Sequence, residues 1–370
     1  MAQELETRTA EFAVIVPTFN EADNVEELIQ RLESCLEGEN WEVVFVDDDS
    51  RDGTVDRLRQ IARHKRHVRC LHRIGRRGLA SACAEGVMST SAPYIAVMDA
   101  DGQHDETILP KMLEVLRSGD ADLVIGSRYM SGGSIGTWDA SRARISRLAS
   151  QLSRAVIKQD LTDPMSGFFA IRREAFESSV RKLSNIGFKV LVDVIASSPQ
   201  PLRVKETPYE FRNRRAGESK LDSQAVWDYL MLLADKLIGH LVPVRFVAFS
   251  LVGAMGVFVH FGVLATLYRL VHLPFAVGQA AATLAAITGN FTLNNLLTFR
   301  DLRLKGWAWV KGWMFFMLVC SLGALANVGI ASYLFTRETA WPLAAVCGIV
   351  VGSIWNYAVA AKYTWAGKKR

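Results

Sequence analysis

Cysteine is scarce, with five in 370 residues. Cys35, Cys70 and Cys83 stand apart in the first half, Cys320 and Cys347 lie in apolar stretches, and none shows CxxC or zinc-ligand spacing. That pattern excludes a disulfide framework or a zinc module and suits small core side chains in a reducing compartment. Met1 to Glu11 carry both charge signs and no apolar run, so no signal peptide is expected and the first half is expected to stay cytoplasmic. Net charge is only +5, and no RNA- or DNA-binding signature occurs, so nucleic acid is not an expected partner. Long apolar runs are missing up to about Val242 and dominate from Pro243 onward. The absences alone divide the chain into a soluble half and a hydrophobic half.

The soluble half alternates strand and helix patterns. Phe12 to Val16, Val43 to Val46, Val68 to Leu71, Tyr94 to Met98 and Leu123 to Ile125 are brief apolar runs suited to buried strands. Between the first two, Val25, Leu28, Ile29, Leu32 and Leu36 recur at helical spacing behind the candidate caps Asn20 and Asp23. Such alternation predicts a mostly parallel sheet covered on both faces, with ligands bound beyond the carboxyl ends of its strands.

The unusual polar residues fall at those ends. The first strand runs into Pro17-Thr18-Phe19-Asn20-Glu21, the second into Asp47-Asp48-Asp49-Ser50, and the fourth into Asp99-Ala100-Asp101-Gly102-Gln103-His104. One acidic strand end alone could be a helix cap or a solvated turn. Three in order on one edge suit a nucleotide site. A nucleoside diphosphate leaving a sugar gains negative charge that Mg²⁺ or Mn²⁺ can neutralise, and hard cations take carboxylate oxygens. In an extended segment Asp99, Asp101 and Gln103 would share one face.

With Gly126-Ser127-Arg128-Tyr129, these motifs resemble the dolichol-phosphate mannose synthase family and its bacterial polyprenyl-phosphate relatives. Those are family 2 glycosyltransferases of the GT-A fold. The resemblance spans about Phe12 to Leu221 and includes Asp163-Pro164-Met165-Ser166-Gly167-Phe168, Ile186-Gly187-Phe188-Lys189 and Gly217-Glu218-Ser219-Lys220. It implies an α/β GT-A catalytic domain, a Rossmann-like mixed sheet, over residues 1–221. It also implies that Pro17, Glu21 and Asp48 line the nucleotide pocket, and that Asp99, Asp101 and Gln103 hold the metal and donor diphosphate. Asp163 and Ser166, in their motif, would line the sugar pocket. Arg128, Arg142, Ser146, Arg214 and Lys220 would face the acceptor phosphate, with Arg144 and Arg147 close enough to compete with Arg142. Asp99, Asp101 and Arg128 would carry the chemistry.

The implied reaction is inverting transfer of one sugar from a nucleotide-sugar donor to a polyprenyl (dolichyl or undecaprenyl) phosphate. The family points first to mannose from GDP-mannose; UDP-glucose or UDP-galacturonate remain alternatives. A phosphate oxygen is already anionic at neutral pH, so no catalytic base is required. The protein must align it with the anomeric carbon and stabilise the departing diphosphate.

The hydrophobic half holds four apolar segments, about Val244 to Leu270, Pro274 to Phe299, Gly312 to Phe335 and Trp341 to Trp365, each long enough to cross a bilayer. Arg300, Arg303, Lys305 and Lys311 fill the middle gap and Lys368-Lys369-Arg370 end the chain. The positive-inside rule places that loop, the C-terminus and the soluble domain together in the cytoplasm, as in a bacterial inner membrane or its equivalent. Asn290-Phe291 with Thr298-Phe299 repeats as Asn356-Tyr357 with Thr364-Trp365. Residues 243–370 thus predict an all-α transmembrane domain of four helices in two hairpins, which resembles the GtrA-like membrane module. Residues 222–242 alternate apolar and charged side chains and suit an amphipathic interfacial helix, or one packed on the soluble core.

Two rivals are weak. A processive polysaccharide synthase carries Gln-x-x-Arg-Trp, but Gln151-Leu152-Ser153-Arg154 is followed by Ala155 and no Thr-Glu-Asp triplet occurs. A non-catalytic lipid-linked-sugar flippase would not need the full acidic set of Asp48, Asp99 and Asp101.

Overall fold

The computed structural model describes residues 9–134, 140–184, 186–212, 223–239, 241–338 and 340–365. The chain divides into two compact units, Met1–Leu237 and Ile238–Arg370.

In the first unit the elements run β1 (Phe12–Thr18), α1 (Val25–Cys35), β2 (Trp41–Asp47), α2 (Thr54–Ala62), β3 (Val68–His72), α3 (Leu79–Met88), β4 (Tyr94–Val97), α4 (Leu109–Arg117), β5 (Leu123–Ser127), α5 (Ala140–Ile157), β6 (Phe169–Arg172), α6 (Arg173–Val180), α7 (Val190–Ser197), β7 (Val204–Pro208) and α8 (Ser223–Ile238). All five strands expected from apolar runs form. The cap of α1 differs from expectation: it is Asn24, whose carboxamide bonds Glu21 at 2.7 Å. Asn20 instead takes a positive φ of 57° and accepts the Arg51 N–H, so its side chain is spent on the neighbouring loop.

The seven strands lie in the order β3-β2-β1-β4-β6-β5-β7. β1 pairs in parallel with β2 and β4, β2 with β3, and β5 with β7. Only β6 is antiparallel to its neighbours, setting Phe169 opposite Val97 on one side and Ile125 on the other. The sheet is therefore mixed. Alternation along the strands feeds two cores. Val14, Val16, Phe45 and Ala96 pack on the face covered by α1 and α4, and Ile15, Val44, Val46 and Ile95 on the face that meets α3 and α7. α3 approaches β1 and β2 through Gly86, where a Cβ would overlap the Ile15 methyl and sit 2.8 Å from a Val46 methyl.

α8 packs through Tyr229, Leu232 and Leu233. Its Tyr229 hydroxyl donates to the Ala149 carbonyl, and Lys236 pairs with buried Asp193 at 2.6 Å. Val226, Leu230 and Leu237 remain exposed on the same helix. The helix thus has a core-facing stripe and a second apolar stripe.

The second unit consists of α9 (Val244–Ala265), α10 (Phe275–Leu293), α11 (Trp307–Thr336) and α12 (Trp341–Val359). π-Helical turns extend α9 through Thr266–Leu270, α10 through Asn294–Thr298 and α12 through Ala360–Thr364. Two of these stretches, Val244–Leu270 and Trp307–Thr336, are long and apolar enough to cross a membrane. The repeat seen in sequence is also a repeat of backbone, since α10 and α12 each end in a π turn that closes on Thr298-Phe299 or Thr364-Trp365. Those two aromatic rings stack at 4.3 Å and 8°. In each hairpin an asparagine packs on a glycine of the partner helix, Asn290 on Gly256 and Asn356 on Gly323, where a Cβ would overlap the carboxamide. The outer surface is apolar, with Phe258 78% and Leu325 70% exposed. Contiguous surface of that kind is stable against lipid rather than water.

Gly86→Ala tests the α3 contact. Neither β-branched neighbour can swing away, so overpacking should cost about 1–3 kcal/mol. A thermal melt of the full chain should show a lower midpoint, and an unchanged one would mean that α3 shifts freely.

Candidate active site at the carboxyl edge of the sheet

Parallel pairing carries the ends of β1, β2, β3 and β4 to one edge. β5 and β7 end there too, and because β6 is reversed, the loop 163–168 that precedes it enters at the same edge. The candidate residues at these described strand ends are placed there by strand direction.

The segment after β4 is a turn rather than the expected extended face. Gly102 has a φ of 73°, and the Gln103 N–H donates back to Asp101 Oδ1 at 3.1 Å. Asp101 and Gln103 are buried, while the Asp99 side chain is 45% exposed. Gln103 Nε2 donates to the Arg212 carbonyl at 3.2 Å, which leaves Oε1 as the carboxamide's acceptor end. Two carboxylates and one amide oxygen form a hard donor set that fits Mg²⁺ or Mn²⁺ sharing its shell with substrate phosphates and water. Among the described residues no group of three or more His, Cys, Asp or Glu gathers as a metal cage.

His104 underpins this turn. Its Nδ1 accepts the Asp99 N–H at 3.0 Å, so in the neutral ring the proton sits on Nε2, 3.8 Å from Asp99 Oδ2. The ring stacks on Phe168 at 5.1 Å and meets Tyr209 and Phe211 edge-on. Burial holds the His104 pKa below its ordinary value against the pull of Asp99 and Asp101.

Next to it, Arg128 and Asp163 form a buried pair. Asp163 Oδ2 accepts from the Arg128 backbone N–H at 3.1 Å and from Nε at 2.7 Å, and Oδ1 accepts from Nη2 at 2.9 Å. Glu206 on β7 holds the turn into Asp163 by accepting the Thr162 and Asp163 N–H groups. Lys189 donates from Nζ to the Met165 carbonyl at 3.1 Å. A Cβ on Gly167 would lie 3.4 Å from Asp99 Oδ2, so the 163–168 loop abuts the acidic turn.

At the β2 end, Asp48 is engaged internally. Oδ1 pairs with Arg73 Nη1 at 2.6 Å and Oδ2 accepts the Gly78 N–H at 2.7 Å. Burial raises the Asp48 pKa, while Gly78 and Arg73 oppose the rise. Pro17 is half-buried at the end of β1. Glu21 takes its N–H to Thr54 and its carboxylate to Asn24. Beside them the Arg77 guanidinium lies 4.1 Å over the Phe19 ring.

Residues 13–179 match Glycosyl transferase family 2, and residues 248–365 match the GtrA/DPMS transmembrane domain. A dolichol-phosphate mannosyltransferase of Pyrococcus furiosus is 34% identical over 356 residues, covering 96% of this chain and 99% of its own. The chain belongs to the dolichol-phosphate mannosyltransferase family. A Saccharomyces cerevisiae member is 34% identical over 234 residues, covering 61% of this chain and 86% of its own. A crystal structure of glucosyl-3-phosphoglycerate synthase from Mycobacterium tuberculosis with Mn²⁺, UDP and phosphoglyceric acid is 19% identical, with a TM-score of 0.45 over 63% of this chain and 78% of that one. That likeness is too weak to place any residue.

In this transferase the edge brings together Pro17, Glu21, Asp48, Asp99, Asp101, Gln103, Arg128, Asp163 and Ser166. Ser166 is buried, and its hydroxyl bonds within its own turn to the Phe168 backbone. Arg142 and Ser146 belong to α5, with side chains outside the described residues, as are Arg144 and Arg147; Arg214 and Lys220 lie outside the described residues altogether. The Asp163 carboxylate is engaged by Arg128, and that of Asp48 by Arg73 and Gly78. Sequence reading missed Arg73, His104 and Arg212, which hold Asp48, Asp99 and Gln103. His104 adjoins the acidic motif, a signal that was available. Arg73 and Arg212 meet their partners only through folding.

The buried pair yields a test. Asp163→Ala strands Arg128 without a counter-charge and should cost about 3–5 kcal/mol, whereas Arg128→Met with Asp163→Leu should recover most of that. Thermal melts of the two variants distinguish them. Equal losses would mean that the pair adds net stability.

Proposed function

We propose that this glycosyltransferase moves one mannose from GDP-mannose to a polyprenyl phosphate with inversion at the anomeric carbon. The observation that carries the proposal is the contact between the Asp99–Gln103 turn and the 163–168 loop at Gly167. A donor's diphosphate and sugar are joined by one bond, so groups that hold them must adjoin, and the closeness of these two segments supports that reading. GDP-mannose is consistent with the name borne by a relative matched over nearly its full length; UDP-glucose and UDP-galacturonate are the rival donors.

Asp99, Asp101 and Gln103 Oε1 would hold Mg²⁺ or Mn²⁺, which when bound supplies positive charge against the leaving diphosphate. Pro17 and Glu21 flank the nucleotide, with Asp48 fixing the pocket wall through Arg73. Asp163 fixes the plane of Arg128, which meets the acceptor phosphate together with Arg142, Ser146, Arg214 and Lys220. Ser166 shapes the turn beside the sugar. No side chain need remove a proton, because the attacking phosphate oxygen is already an anion. The protein's part is alignment and charge.

We further propose four membrane spans. With their π turns, α10 and α12 each run about 24 residues, roughly 36 Å, against a hydrocarbon core of about 30 Å. The basic 300–311 gap, the C-terminus and the catalytic unit then lie on the cytoplasmic side. The exposed Val226, Leu230 and Leu237 of α8 would rest on the bilayer surface.

Purified protein, polyprenyl phosphate and a panel of radiolabelled nucleotide sugars test the reaction by organic extraction. GDP-mannose should give the largest extractable product. Chelator or Asp101→Ala should abolish it, with activity returning to the native enzyme on adding Mg²⁺ or Mn²⁺. Full turnover in excess chelator would remove the metal assignment, and no lipid-soluble product from any donor would remove the function.

Arg214→Lys and Lys220→Ala test the acceptor site. Each should raise the acceptor KM about ten- to a hundredfold while sparing the donor KM. A loss confined to donor affinity would reassign both residues.

A further inference from the structure

The membrane unit holds a concavity of about 340 Å³ where α10 ends and α11 begins. Thr292, Asn295, Arg303, Leu304, Lys305 and Trp309 are among its lining residues. We propose that this concavity of the membrane unit binds the phosphate of a lipid headgroup.

The loop that forms it is built in advance. Asn295, only 2% exposed, receives the Leu304 N–H on Oδ1 at 2.8 Å and donates Nδ2 to the Leu304 carbonyl at 3.1 Å. The same Oδ1 accepts the Trp365 indole N–H at 3.0 Å. One carboxamide thereby ties α10, the loop and the end of α12 together. Leu304 is drawn inward, where it occupies the space that a Cβ on Gly312 would need. Its neighbours Arg303 and Lys305 are exposed and both line the concavity.

The electrostatics of the lining are one-sided. It contains two cations and no carboxylate. The acidic residue of this loop, Asp301, is paired with Arg245 at 2.9 Å. Among the described residues neither Arg303 nor Lys305 has an ion-pair partner. α11, 30 residues long, starts at Trp307 and adds the positive end of its dipole. Arg303 and Lys305, two residues apart on a loop tied down by Asn295, offer two exposed cations to an anion. A phosphate oxygen set matches an arginine fork and a lysine point charge.

The surroundings say that the anion carries an apolar tail. Trp307 is 70% exposed beside the concavity, and the Trp309 ring forms part of its wall. Tryptophans beside basic residues at the end of apolar helices mark the headgroup level of a bilayer. Basic pockets between helices at that level select anionic phospholipid headgroups.

Native mass spectrometry of the full chain in detergent reads the occupant directly. The probes are phosphatidylglycerol, phosphatidylcholine, polyprenyl phosphate and inorganic phosphate, each titrated separately. An anionic phosphate lipid should bind more tightly than phosphatidylcholine. Arg303→Gln with Lys305→Gln should weaken it about tenfold to a hundredfold. Arg303→Lys alone should retain part of the affinity. GDP binding should be unchanged in every variant, which separates loss of this site from misfolding. Tighter binding of polyprenyl phosphate than of phosphatidylglycerol would support the site and name its occupant as the substrate lipid. Equal lipid binding by the double variant would overturn the proposal. So would inorganic phosphate binding as tightly as lipid, because the tail would then contribute nothing.

Discussion

β6 runs against both neighbours, pairing Phe169 with Val97 and with Ile125, and the meeting of the 163–168 loop with the acidic strand ends depends on that reversal. Parallel strands alone would deliver the acidic ends of β1, β2 and β4 to one edge. They would also start every later strand at the opposite edge. Because β6 is reversed, the loop leading into it arrives beside the β4 turn, and Gly167 comes against Asp99. β5 returns to the parallel sense, so Arg128 emerges next to Asp163. The site is therefore a consequence of hydrogen-bond direction before it is one of side-chain chemistry.

Charge in the catalytic unit is kept rigid by pairing. Arg128 with Asp163, Arg73 with Asp48 and Lys236 with Asp193 are all buried or nearly so. Such pairs gain little net stability over an apolar replacement, because desolvation offsets their attraction. What they provide here is orientation. A guanidinium whose Nε and Nη2 are committed to one carboxylate cannot rotate, and a loop closed through Gly78 onto Asp48 cannot open without stranding a charge. Transfer to an acceptor that is already anionic needs fixed geometry more than proton movement.

The membrane unit solves its polar problem by repetition. Asn290 and Asn356 fill the space left by Gly256 and Gly323, bringing each helix pair close, and Phe299 stacks on Trp365 where the two hairpins end. In lipid there is no hydrophobic drive between helices, so close backbone approach and interhelical packing take its place. The π turns at the ends of α10 and α12 bring Asn295 and Trp365 within bonding distance, which also shapes the basic loop.

Much of this was legible in the residues alone. Five strands showed as short β-rich runs, the acidic ends as motifs, and the hairpin repeat as matched Asn and Thr-aromatic spacing, because each depends on neighbours close in sequence. The cap position of α1 falls one to four residues beyond the candidates Asp23 and Asn20, since all three residues suit a cap and the contacts that separate them, Asn24 to Glu21 and Arg51 to Asn20, form only on folding. β6 and β7 are no shorter than β4 and β5, but β7 carries Lys205 and Glu206 in place of an apolar run, and no local signal sets the direction of β6. The partners of Asp48, Asp163 and Gln103 lie 25, 35 and 109 residues away in sequence. Local pattern decided which chemistry the chain carries. Tertiary structure alone decided which carboxylates are spent on arginine, because that choice is made by groups that meet only when the sheet closes.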